Sequence, residues 1–461
     1  MNIIPGFTLI NCAVILVSYF LILLVNKETR SKSAILLVAI LSFHHLVAYL
    51  YAFHLSLPEN EVDPASFVML AAECTSLGYC GYLGEHLYAN YLSKVLALSH
   101  SLYFVFLINT LLFVVSLYFF IGISKFFFLA TNIKIYIFLY SMWPSVVYFT
   151  TMHYRETFEL YLLIAGVYFG LTGSKSDSFW RMLVSMLLLL FMGIFHIKGL
   201  IFLSPVLFLI VICYRLPFTV LSLAKKGILL IIMSVIVYSS QGMYKDYLNE
   251  IWQNKQEARV ETALSDNTAS HSEKAKDKVL SGSRLIFEKN KDLYLSEHVY
   301  PDMDPGYIDI FMRKVTYYRA SLTWVVAPET AFLSTISDRS IPAFIWTYSL
   351  SYIEYLFSPF IFQVNTFNEF IAYAESVLRF ILFVSALVFL KHFPQARVLF
   401  LIYLAITSMW ALGVISFGAG IRHHVQTNWI LVLLGVPAIS QYITNILNER
   451  KRANDKVKAK I

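Results

Sequence analysis

The chain has 461 residues, of which 58% are hydrophobic and 14% charged, with a formal net charge of +7. Soluble domains average about 45–50% apolar and about 25% charged residues, so an ordinary water-soluble enzyme, a disordered chain and a nucleic-acid-binding domain are excluded, and lipid is the solvent for most of this protein. The basic excess sits beside apolar runs and reads as membrane topology, not as affinity for nucleic acid.

A membrane helix needs about 20 mostly apolar residues. The first qualifying run is 6–25. It lacks the charged start and small-residue cleavage site of a signal peptide and is expected to stay as a span. Lys27, Arg30 and Lys32 follow it, and run 34–54 comes next. The loop 55–97 opens with Pro58-Glu59-Asn60-Glu61-Val62-Asp63-Pro64. Asp63 fits a helix cap and Pro64 the first helical position, so one reading is an acidic loop capping an amphipathic helix. The other is a general base or metal ligand at the mouth of an external cavity, with Asp63 and Glu61 as its carboxylates. Cys74 and Cys80 share this loop, and pairing them requires an oxidising compartment. Cys12 and Cys213 lie inside apolar runs.

Runs 98–121 and 128–150 follow. The second contains Trp143-Pro144-Ser145 and ends near His153-Tyr154-Arg155-Glu156. Proline weakens the backbone ladder, so the chain can open toward a site. Arg155 is either an interfacial snorkelling residue or a planar fork for a lipid-linked phosphate, and Glu156 opens the next run. Runs 157–173, 181–197, 199–214 and 226–240 complete the first half. His196-Ile197-Lys198 marks a tight turn between two of them. The segment 241–341 carries 15 of the 29 acidic residues and is read as an external loop subdomain. Within it, 253–283 is low in aromatics, whereas 284–340 regains Phe and Tyr. Run 342–363, with Pro342, Glu354 and Pro359, reads as an interfacial or re-entrant helix. Runs 370–390, 398–418 and 427–446 follow. Gly418-Ala419-Gly420-Ile421-Arg422-His423-His424 is expected to form a turn before the last run, where the glycines let backbone approach a ligand. Adjacent His423 and His424 are poor geometry for one metal, so no zinc site is assigned. A divalent cation as cofactor is left open.

Lysines and arginines in the short loops place the N-terminus outside and the basic tail in the cytoplasm. The expected fold is an all-α polytopic membrane protein of eleven transmembrane helices with a large external loop subdomain. The expected divisions are 1–240, an N-terminal transmembrane bundle; 241–341, the external subdomain; and 342–461, an interfacial helix, C-terminal spans and tail. Most spans are charge-free, Glu375 and Arg379 being exceptions. The remaining ionisable groups gather at one predicted face, which suits a phosphate leaving group plus a proton acceptor.

This pattern resembles the bacterial GT-C superfamily of membrane glycosyltransferases and the related surface-polysaccharide polymerases. Asp63, Phe67 and Ala71 match the family's acidic, aromatic and small residues at helical spacing. Pro144 with Glu156, and Gly418 or Gly420 with Arg422, match its later positions. The family's adjacent Asp-Glu pair is absent, Glu59 and Glu61 being offset, and an extra span precedes the acidic loop. The R-x10-G pattern of O-antigen polymerases occurs as Arg155 to Gly166. The resemblance implies a bacterial inner-membrane enzyme using a polyprenyl-phosphate- or diphosphate-linked sugar and a glycan acceptor. Asp63, with Glu61, would be the base. Arg155, Lys198 and Arg422 would hold the departing phosphate, beside Glu156, His196 and His423 in the substrate site. A repeat-unit polymerase, a lipid-linked oligosaccharide flippase or transporter, and a structural subunit are the rivals.

Overall fold

In hydrocarbon every backbone N–H and C=O must find a partner within the protein, and a helix achieves this within one segment. The apolar runs accordingly fold as helices. The computed structural model describes residues 9–29, 33–54, 62–77, 84–99, 101–127, 133–196, 200–214, 219–240, 331–334, 336–337 and 340–458, with scattered positions between 308 and 319. Among these residues there is no strand, only an isolated bridge between Ala331 and Ser416. The helices are α1 (Leu9–Thr29), α2 (Ala34–Phe53), α3 (Val62–Leu77), α4 (Gly84–Ser99), α5 (Leu102–Phe126), α6 (Ile133–Ser141), α7 (Pro144–Thr151), α8 (Glu156–Ser176), α9 (Phe179–Phe195), α10 (Leu200–Ile212), α11 (Val220–Ser239), α12 (Ile341–Phe357), α13 (Phe367–His392), α14 (Arg397–Gly413) and α15 (Phe417–Lys458).

Among the described residues, seven helical segments are long and apolar enough to cross a membrane: Leu9–Lys27, Ala34–Phe53, Leu102–Phe126, Glu156–Ser176, Val220–Ser239, Phe367–His392 and Pro394–Gly413. The chain is thus a helical membrane protein. Helices α9 and α10 are apolar but shorter, at 17 and 13 residues. The run expected over 128–150 is not one helix. It breaks at Met142–Trp143, and Pro144 starts the second piece, because proline cannot donate to the preceding turn. The expected turn at 418–424 is also corrected. Those residues are already helical, and the chain breaks earlier, at Val414–Ser416. Ser416 opens α15, since its carbonyl accepts the Gly420 N–H at 2.9 Å. Gly418 and Gly420 therefore sit in the first turn of α15, where Gly418 is exposed with open space beside it and Gly420 is buried near Tyr355. Run 342–363 forms α12, which ends before a cis Ser358–Pro359 bond.

The chain divides into two compact units: 1–230 with 374–406 and 421–461, and 231–373 with 407–420. In the first, α8 packs along α9, α5 and α10, while α3 pairs with α4. Between helices in lipid the attraction is close packing, which small residues permit. A Cβ on Gly166 of α8 would stand 2.9 Å from Leu189 of α9, and one on Gly435 of α15 would stand 2.6 Å from the Leu382 carbonyl of α13. Gly166, the end of the R-x10-G pattern, is thus a helix-packing position.

The break between α6 and α7 is held by polar side chains. His44 of α2 bonds the Ser141 carbonyl at 2.9 Å. The Glu375 carboxylate of α13 accepts the Ser145 N–H at the start of α7, where helix N–H groups lack intrahelical partners. Arg379 lies one turn on, 3.8 Å from Glu375, and both are buried.

In the second unit, Met312, Ile336 and Phe344 form a small core. Arg319 of the same unit is buried, donating to the Ala411 and Val414 carbonyls at 2.7 Å each and to the Ser351 hydroxyl at 2.8 Å. It thereby closes the C-terminal end of α14. Burial pushes its pKa down to about 10, so it stays charged at neutral pH. Glu354 of α12 accepts the Ser334 N–H and hydroxyl.

Candidate functional site

The candidate site lies in the first unit, where α7, α8 and α9 end or begin near the start of that unit's part of α15. Residues 152–155 leave α7 and turn directly into α8. The Asn109 amide of α5 holds this turn by donating to the Met152 carbonyl, and the Thr157 hydroxyl donates back to the Phe149 carbonyl at 2.8 Å. The turn delivers Tyr154, Arg155 and Glu156 in sequence. One helical turn on, Glu159 shares the face of Arg155 and Glu156, since residues three and four apart are helix neighbours.

The groups form one connected set. Arg155 Nε lies 3.8 Å from Oε1 of both Glu156 and Glu159. Arg422 Nε donates to Glu156 Oε1 at 2.5 Å, across 266 positions of sequence. His196, at the end of α9, meets Glu159 Oε1 through Nδ1 at 3.0 Å. The Gln426 amide, one turn after Arg422, donates to Glu159 Oε2. The His423 ring stands edge-on to His196, with centroids 5.6 Å apart. Glu156 and Glu159 are fully buried, and Arg155, His196 and His423 are buried. The Arg422 side chain keeps 14% of its surface exposed, more than Arg155 at 9% or His196 at 6%.

Aromatic rings wall the set. The Arg155 guanidinium sits 5.6 Å from the Phe67 ring of α3, and that of Arg422 sits 5.4 Å from the Tyr154 ring. Such contacts favour cations that have lost part of their water. Tyr91 of α4 packs edge-on against Phe158, and burial raises its phenol well above the ordinary value, so it stays protonated.

Two arginines face two glutamates, and isolated buried charges in hydrocarbon would be far more costly than this balanced set. Ligand atoms of Glu156, Glu159 and His196 lie within 4.8 Å of one another, a spacing that suits a divalent cation. A cation entering there would have to share both carboxylates with the guanidiniums already on them. An anion such as phosphate would instead take over guanidinium N–H groups from Glu156, with Arg422 the accessible one.

Five of the residues singled out by sequence therefore come together: Arg155, Glu156, His196, Arg422 and His423. Asp63 is helical, in the first turn of α3, which starts at Val62, one residue earlier than the expected cap position allows. Its side chain lies outside the described atoms. Phe67, one turn later on the same helix, is the ring under Arg155. Glu61, Lys198, Cys80 and segment 241–307 lie outside the described residues. Cys74 is disulfide-bonded, while Cys12 and Cys213 are free. The sequence reading missed Glu159 and Gln426, and it quoted Tyr154 without giving it a role. The signal for the first two was helical spacing, Arg155 to Glu159 and Arg422 to Gln426 each being four residues. No family model, curated protein or solved structure matches the chain.

Proposed function

We propose that the chain is a membrane-embedded glycosyltransferase that uses a polyprenyl-phosphate- or diphosphate-linked sugar to build or modify a cell-surface polysaccharide. The observation that carries this reading is the buried Arg155–Glu156–Arg422 group with Glu159 and His196 attached. Helical packing alone does not call for two arginines and two carboxylates at the ends of otherwise apolar helices. In this reading the donor lipid enters sideways from the bilayer, and its phosphate engages Arg422 and Arg155. An acceptor hydroxyl attacks the anomeric carbon, and Asp63, with Glu61, takes its proton. The bond from that carbon to the phosphate oxygen breaks, and the phosphate leaves with the electron pair. Preorganised guanidiniums stabilise that developing charge, and stabilisation of this kind usually lowers the barrier more than any other single effect.

The orientation proposed is N-terminus outside and C-terminus in the cytoplasm of a bacterial inner membrane. The disulfide at Cys74 fits an oxidising compartment on the α3 side. Lys175, Lys225 and Arg397 fit the cytoplasmic side. Replacing Asp63→Asn and Arg422→Ala, with expression checked, abolishes glycan transfer in this account, and full activity in both variants removes it. If the enzyme joins preassembled repeats, a deletion strain loses long chains and keeps single repeats; if it adds single sugars, the repeat itself is incomplete.

A transporter reading has its own support in the broken α6–α7 element, whose second half meets the buried Glu375 carboxylate. Broken helices with ionisable partners mark many transporter sites. Proteoliposomes containing labelled lipid-linked sugar separate the two. Flipping without transfer favours the transporter, and transfer to an acceptor favours the enzyme.

A further inference from the structure

Helix α4 packs against the candidate site through Tyr88, which is fully buried. The Phe67 ring touches both Tyr88 and Arg155, 5.1 Å from the Tyr88 ring and 5.6 Å from the Arg155 guanidinium. Tyr88 also meets Phe158 edge-on at 6.1 Å, so it lies on the first turn of α8, which carries Glu156. The Glu156 carboxylate acts on the Tyr88 hydroxyl, more strongly than the Arg155 guanidinium does. The Asn109 amide of α5 lies beside the same hydroxyl but outside hydrogen-bonding geometry. Tyr88 is thus the point where α4, α5 and the charged start of α8 meet.

The Tyr88 hydroxyl, Asn109 Oδ1 and Glu156 Oε2 are buried and have no hydrogen-bond partner among the described residues. The rest of each polar group is committed. Arg422 and Arg155 both approach Glu156 at Oε1. The Asn109 NH2 group donates to the Met152 and Tyr154 carbonyls. Burying a polar atom unpaired is costly, and most such atoms in proteins are paired, so several together beside a charged site call for a partner. What they offer selects it: a carboxylate acceptor, an amide acceptor and a phenol that donates or accepts. Phosphate oxygens would face two acceptors and be repelled. A cation would face the Arg155 guanidinium, with a carboxylate already shared by two arginines. A neutral hydroxyl fits, donating to one acceptor and accepting from the phenol. It needs no more room than a water molecule. We propose that Tyr88, Asn109 and Glu156 Oε2 form a subsite for a hydroxyl group of the donor's sugar. The subsite rests on the glycosyl-transfer reading and orients the donor, its sugar toward α4 and α5 and its phosphate toward Arg422, the more exposed arginine.

Tyr88→Phe keeps the ring and removes only the hydroxyl, so it tests the subsite without opening a cavity. Native mass spectrometry of the purified full chain measures affinity for undecaprenyl diphosphate, bare or carrying glucose, galactose or N-acetylglucosamine. Wild type binds the best of the sugar-bearing lipids more tightly than the bare one. One hydrogen bond is worth roughly a three- to ten-fold change in affinity, and Tyr88→Phe loses that much of the preference while binding the bare lipid as before. The Tm of the lipid-free variant stays level or rises, because an unpaired buried hydroxyl has gone. A preference that survives in Tyr88→Phe overturns the proposal, as does equal binding of bare and sugar-bearing lipids by the wild type. A lower Tm with equal loss of affinity for every lipid makes Tyr88 structural and also overturns it. If magnesium chloride alone raises the Tm of the wild type and not of Tyr88→Phe, the subsite takes a cation and the proposal falls. Binding of no lipid by the wild type removes the glycosyl-transfer reading itself, and the subsite with it.

Discussion

Helix α8 carries charge at both ends, and the two ends hold it differently. At its start, Arg155, Glu156 and Glu159 are buried and meet partners from α9 and α15 that are remote in sequence. At its finish, Asp177 adopts a left-handed conformation at φ 52° and pairs with Lys225 in a side-chain contact that is 30–41% exposed. The finish needs only a headgroup region and a basic inner side to explain it. The start has no such account, because burying four charges there costs free energy that packed apolar side chains would not. The finish buries one cation, Lys226, which donates to the Ser174 hydroxyl at 3.1 Å, whereas the start buries paired charges from remote elements, and that network is what singles out the start as a candidate site.

The comparison breaks if the buried end tolerates loss of a charge. Arg422→Ala leaves Glu156 without its closest cation, and activity is expected to fall about 100- to 1,000-fold, with stability lower by about 3–5 kcal/mol in a detergent melt. A variant with wild-type turnover would show the cluster to be structural. Glu375→Ala tests burial away from the site. It removes the carboxylate beside Arg379 and is expected to cost a comparable 3–5 kcal/mol, or roughly the upper range for breaking a buried pair, whereas Glu375→Gln retains an acceptor for the Ser145 N–H and loses less. Gly166→Val, midway along α8, presses on Leu189 and is expected to cost about 1–3 kcal/mol by overpacking, read in the same melt.

The smallest effect belongs to the exposed end. Asp177→Asn is expected to change stability by at most about 1 kcal/mol, a figure already reduced for solvent screening. The Ser222 hydroxyl first, then Lys225, holds the Asp177 carboxyl below its ordinary range. Its folded pKa is below the unfolded one, so its contribution is present at neutral pH and disappears as pH falls through the lowered value. A melt series over acid pH in wild type and Asp177→Asn checks this, and the two curves should converge at the acid end.

Much of the fold was legible because lipid imposes a single requirement, long apolar helices, and runs such as 34–54 meet it alone. The break at Pro144 was legible as a weakness but not as two separate helices, since His44 and Glu375, which hold the ends, come from far along the chain. The helical state of Gly418 and Gly420 was hidden because glycine reads as a turn residue in water, whereas in membrane helices it is common, and no local pattern marks the earlier break at Val414–Ser416. At the site, Arg155, Glu156, His196, Arg422 and His423 stood out as charge or imidazole at the ends of apolar runs. Glu159 was counted into run 157–173 and Gln426 fell just before run 427–446, so run-based reading passed over both. The pairing of Arg422 with Glu156 rests on tertiary packing, which no local pattern encodes.

The central claim is that the buried cluster exists to handle a phosphate-linked sugar. Purified wild type and Arg155→Ala/Arg422→Ala protein, each incubated with radiolabelled polyprenyl-diphosphate sugar and acceptor, test it most directly. The account predicts labelled glycan from the wild type and none from the double variant. Equal transfer by both, from variant protein shown to be folded, would contradict it.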